Sequence, residues 1–92
     1  GIRLPHLRVT GNTTLSGPGM VSVNATCTVT LPTPSVSNLG WVIWINSTGT
    51  YTVTINAVSG SIIGFTPGIS NVGRQMFQVV MTGASTYAWQ CN

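Results

Sequence analysis

The stretch VSVNATCTVTL, residues 21–31, decides the fold. Its odd positions, Val21, Val23, Ala25, Cys27, Val29 and Leu31, are all apolar. Its even positions, Ser22, Asn24, Thr26, Thr28 and Thr30, are all polar. A period of two sends alternate side chains to opposite faces of an extended chain, whereas a helix repeats every three to four residues. The segment reads as one long strand, or two short collinear ones, with one face buried.

Working outward, a connection rich in Pro, Ser and Gly follows, from Pro32 and Pro34 to Gly40. Prolines cannot donate to a ladder, so pairing stops there. The next strand, Trp41–Asn46, is apolar on both faces: Trp41, Ile43 and Ile45 on one, Val42 and Trp44 on the other. Ser47, Thr48 and Gly49 form a short link to a strand over Thr50–Ala57. There Tyr51, Val53, Ile55 and Ala57 point inward, and Thr50, Thr52, Thr54 and Asn56 outward. A turn at Gly60 leads to the apolar run Ile62-Ile63-Gly64-Phe65 and then to a loop through Pro67, Gly68, Asn71 and Gly73. The last two strands span Arg74–Thr82 and Ser85–Cys91, with Tyr87, Trp89 and Cys91 on one face.

Strands at intervals of about ten residues with no helical stripe between them predict an all-β fold. The expected architecture is one of short antiparallel strands in a β-sandwich, a barrel or a β-helix-like protomer. Pro5, Gly11, Gly17, Pro18 and Gly19 punctuate the beginning of the chain. Residues 1–19 therefore read as an extended N-terminal arm or linker, and residues 20–92 as the β-stranded domain. The opening Gly1 suggests a domain excised from something longer.

Composition excludes more than it assigns. Of 92 residues, 3% are charged, and there is no Asp or Glu. Arg3, Arg8 and Arg74 carry all the side-chain charge, and His6 is the one histidine. A serine triad would lack its acid, and a glycosidase would lack both carboxylates. Calcium and magnesium sites draw on carboxylate oxygens that this chain does not have. One His and two Cys fall short of a spaced zinc motif. The expectation is a non-enzymatic protein without cofactor or metal. The pI of 9.5 reflects three unopposed arginines rather than a basic patch, so nucleic acid is not the expected partner. No window reaches the roughly 18 apolar residues of a membrane span, so no membrane insertion is expected.

A surface of Thr, Ser, Asn and Gly with so little charge points to assembly, because soluble monomers usually rely on surface charge. The doubly apolar strand supplies the expected interface: Trp41, Ile43, Trp44 and Ile45. A homo-oligomer would also hide strand edges.

Against this background, residues 20–91 resemble the β-stranded modules near the C-termini of phage tail fibres and virion spikes. The likeness lies in VTLP (29–32), the loop to Asn38 and Gly40, Ile45 and Asn46, VTI (53–55), the turn from Gly60 to Gly64, and Ala88-Trp89. The resemblance implies a trimer on a virion surface, in contact with other virion proteins. It also implies a role in fibre architecture or in attachment to host-surface glycans.

Four further features bear on function. Cys27 and Cys91 both fall on inward faces, which leaves open a disulfide or two separate buried thiols. Asn12, Asn24 and Asn46 begin N-x-Ser/Thr sequons and are candidate glycan acceptors. The aromatic set Trp41, Trp44, Tyr51, Phe65, Tyr87 and Trp89 admits a sugar-stacking platform as the alternative to core packing, with Trp44 the best-placed contact residue. The hydroxyl rows Thr26-Thr28-Thr30 and Thr50-Thr52-Thr54 resemble the arrays of ice-binding solenoids, although Thr also favours strands for its own sake.

Overall fold

In a computed structural model of the chain, residues 5–47, 51–58, 62–64, 68–70 and 73–91 are described. Arg3, Thr48, Gly49, Thr50, the Gly60 turn, Phe65, Pro67 and Asn71 lie outside the described residues. Among the described residues ten strands succeed one another: β1 (His6–Val9), β2 (Thr13–Thr14), β3 (Gly19–Val23), β4 (Cys27–Leu31), β5 (Val42–Ser47), β6 (Val53–Ala57), β7 (Ile62–Ile63), β8 (Gly68–Ser70), β9 (Gly73–Met81) and β10 (Tyr87–Cys91). The all-β class holds, and the sheets are mixed.

The first eight strands alternate between two sheets. The larger has the order β1-β3-β5-β9-β10-β7, and the smaller β2-β4-β6-β8. Pairing is parallel between β1 and β3, β3 and β5, β2 and β4, β4 and β6, and β10 and β7. It is antiparallel only where β9 meets β5 and β10, and where β8 meets β6. The expectation of short antiparallel strands is met in part, because most of the pairings are parallel. Through β6 each returning strand stacks in parallel beside its counterpart two elements back rather than folding into a hairpin, whereas β7 pairs with β10.

The decisive stretch shows why. Asn24, Ala25 and Thr26 form a corner between β3 and β4, which belong to different sheets. Val21 and Val23 point into the core from one sheet, and Cys27, Val29 and Leu31 from the other. The two sheets enclose one cluster, with Trp89, Phe77, Leu31, Ile43 and Ile55 among the largest fully buried side chains. The shortest dimension of the molecule is 20 Å, which suits two layers about 10 Å apart with side chains on both outer faces.

Residues 1–19 do not form an arm wherever they are described. β1 and β2 are the edge strands of the two sheets, and Val9 and Leu15 belong to the core. β1 contributes one inward apolar residue, Val9, and β2 none of its own, Leu15 following directly after it, too little to register as a period. Gly19 holds the junction. Its φ of +130° lies in the region favouring glycine, and a Cβ there would collide with the Pro5 carbonyl oxygen. That same oxygen accepts a hydrogen bond from the Met20 N–H at 2.7 Å. Residues 68–70, expected within a loop, form β8.

A 3-10 turn over Val36–Asn38 shapes the proline-rich connection. Buried Asn38 organises it: its Oδ1 accepts from the Ser35 N–H at 2.7 Å, and its Nδ2 donates to the Thr33 carbonyl at 2.9 Å.

Candidate functional site: the outer face of the larger sheet

Strand β5 shows how sequence becomes surface. Ile43 and Ile45 are 0% and 2% exposed within the chain's own core. They are therefore not available as an oligomer interface, and that expectation is corrected. Trp41 also packs against the core. Trp44 alone of the four points outward and stays half-buried. Its neighbours follow from register: Met20 on β3 and Met76 on β9 lie directly opposite it on either side. An outward row therefore runs His6, Met20, Trp44, Met76 across four strands.

Beside it runs a polar row of Arg8, Ser22, Asn46 and Arg74. Alternate residues along a strand stand about 6.7 Å apart, which sets the distance between the two rows. The Arg8 Nε donates to Asn24 Oδ1 at 2.9 Å, and His6 Nε2 and Ser22 Oγ share a 2.8 Å hydrogen bond. Val42 and Gln78 continue the face beyond Trp44. The result is a flat platform: an indole between two thioethers, flanked by amides, a hydroxyl and two guanidinium groups.

Among the remaining aromatic side chains, Trp89 and Phe77 are buried, and Tyr51 and Tyr87 pack against the core. Sequence reasoning singled out Trp44 but missed Met20 and Met76. Their partnership depends on strand register, which the linear sequence does not display.

The outer face of the smaller sheet carries the threonines. Thr28 is opposite Thr54, and Thr30 is opposite both Thr14 and Asn56. Thr26 extends this grid, its Oγ1 accepting from the Thr52 N–H at 3.2 Å. The hydroxyl rows are thus in register across β2, β4 and β6, an array free of charged groups.

A third surface lies at one end of the stack. Pro32, which follows β4, accepts a hydrogen bond from the Trp89 indole, and the Gly40 N–H donates to the Val79 carbonyl. The ends of β4, β6 and β9 are therefore on the same side. Val36, Leu39, Val58 and Met81 are all exposed there.

Cys27 and Cys91 are both thiols and are not bonded to each other. Cys27 opens β4 in the smaller sheet, while Cys91 closes β10 in the larger and donates to Gln75 Oε1 at 3.0 Å. Burial pushes both thiols above their ordinary range. Of the sequon residues, Asn12 accepts the Thr28 N–H at 2.8 Å and Asn24 accepts from Arg8. Asn46 sits within β5, between Ser22 and Arg74. Among the described residues no group of three or more metal-ligating side chains gathers, and no helix is long and apolar enough to cross a membrane. A cleft of about 130 Å³ near β1 is lined mostly by apolar groups, with His6 and Ser16 its polar side chains.

Comparison of the chain with protein-family models, curated proteins and solved structures finds no match.

Proposed function

We propose that the chain is a non-enzymatic structural and adhesive module of a virion surface, a spike or tail-fibre tip that works as a homotrimer. The observation that carries this reading is the outward row Met20–Trp44–Met76, a half-buried indole platform on the outer face of the larger sheet. Aromatic residues held on strands give contact area at small entropic cost, which suits attachment to a host-surface ligand. Chemistry argues the same way. A His–Ser pair without an acid has nothing to orient the imidazole, and the chain contains no Asp or Glu.

Self-association falls to the end of the stack, where Val36, Leu39, Val58 and Met81 form an apolar rim that a second copy would cover. This leaves the Trp44 face open. Native mass by light scattering after size exclusion tests the reading. A value three times the 9.6 kDa chain is expected, falling to that of a monomer in a Leu39→Ser, Met81→Ser double variant. A wild-type monomer overturns the oligomeric part. It would favour the second reading, a carbohydrate-binding domain that works alone, which the outward, half-buried Trp44 beside the Asn46 amide also supports.

A further inference from the structure

The arginines of the described residues, Arg8 and Arg74, stand at opposite ends of one outward row, with Ser22 and Asn46 between them. Across β1, β3, β5 and β9 they are three strand spacings apart, about 14 Å. Both are exposed, and the chain has no Asp or Glu to neutralise either one. A guanidinium presents paired N–H donors that match a carboxylate or a sulfate, and Arg8 spends one of its five on Asn24. The adjacent row supplies Trp44, an apolar face of the size of a sugar ring.

We propose that this face binds an acidic oligosaccharide. Its sugar rings lie on Trp44 and the flanking Met20 and Met76, and its carboxylate or sulfate groups reach Arg8 and Arg74. Ser22 and Asn46 supply hydrogen bonds to the hydroxyl groups between. The inference rests on the adhesive reading above and names its ligand class. Charge complementarity selects an acidic saccharide over a neutral one. The single indole, with no run of further exposed aromatics on the face among the described residues, favours a saccharide over a stacked nucleic acid strand, which takes one aromatic for each of several bases.

The test is calorimetric titration of the full chain with a chondroitin sulfate hexasaccharide. A neutral dextran oligosaccharide of the same length and a single-stranded oligodeoxynucleotide of matched charge serve as comparison probes. The hexasaccharide is expected to bind and the comparison probes to bind at least tenfold more weakly. Arg74→Gln and Trp44→Ala should each weaken the hexasaccharide roughly tenfold, the loss of one charge-assisted contact or one stacking face. Arg74→Lys should recover part of the loss, because it keeps the charge but not the paired donors. Circular dichroism and native mass identical to wild type establish that each variant is folded.

Equal binding of dextran overturns the acidic ligand and leaves the adhesive reading standing. Oligodeoxynucleotide binding as tight as the hexasaccharide and indifferent to Trp44→Ala overturns the proposal in favour of a general polyanion surface. No binding of any probe overturns it as well. Whether the broader reading falls with it is decided separately, by the native mass.

Discussion

The indole Nε1–H of Trp89 donates a 2.6 Å hydrogen bond to the carbonyl oxygen of Pro32. It ties the interior of the larger sheet to the end of the smaller one, at the point where proline halts the β4 ladder. Trp89 is fully buried, so the bond is made where water competes least. Trp89→Phe should keep most of the apolar contact but leave the Pro32 carbonyl unpaired, at a cost of about 1–3 kcal/mol. Trp89→Ala adds a cavity and should cost about 3–5 kcal/mol. Urea unfolding followed by circular dichroism measures both. A Phe variant as stable as wild type would show that the hydrogen bond contributes nothing net.

Gly19 is expected to tolerate no side chain. Alanine there meets the Pro5 carbonyl oxygen and takes up a φ of +130°, so Gly19→Ala should cost about 1–3 kcal/mol. The damage should be local at first. Hydrogen exchange at Leu7 and Val9 of β1 should speed up before exchange at Ile43 and Ile45 does. Uniform acceleration across all four would mean that β1 is not a separate unit.

Ser47 ends β5 on the inward side, and its hydroxyl is buried with no hydrogen-bond partner among the described residues. Removing such a group relieves a desolvation cost. Ser47→Ala should therefore stabilise the fold by about 1 kcal/mol, read as a higher urea midpoint at unchanged slope. A lower midpoint would refute the account.

Burial raises the Cys27 and Cys91 thiols above their unfolded range, so the folded state prefers the protonated form. Stability from this source is full below the unfolded thiol pKa, about 8.5. It is lost as pH rises through the higher folded-state values, because the unfolded chain ionises first. Urea midpoints should be level from pH 6 to about 8 and decline above that. Cys27→Ala, though less stable throughout, should decline less. A midpoint that climbs between pH 8 and 10 would contradict the sign.

The alternation of residues 21–31 showed which side chains point inward, but not that the strand is broken. Asn24-Ala25-Thr26 turns the corner without changing parity, so Val23 and Cys27 face the same core from opposite sheets. A pattern of period two is identical for a straight strand and for this corner. It is equally silent on whether neighbours run parallel. The doubly apolar face of β5 was visible, but its meaning depended on distant residues. Ile43 and Ile45 meet the core, while Trp44 meets methionines that precede it on β3 and follow it on β9. The arginine row was hidden for the same reason: Arg8 and Arg74 are far apart in the chain and become collinear only through register.

The position of β10 has a further consequence. Strands β9 and β10 sit between β5 and β7 in the larger sheet, so that sheet is not laid down in the order of synthesis. Ile62 and Ile63 are added to the chain well before Trp89 and Gln90, their partners. The early turns of chain can stack as they emerge, but β5 then waits with one edge bare until the closing hairpin arrives and wedges itself in. Such long-range closure is slow, and the waiting edge is open to a second nascent chain. β10 thus acts as a latch, joining β7 to the strands laid down before it.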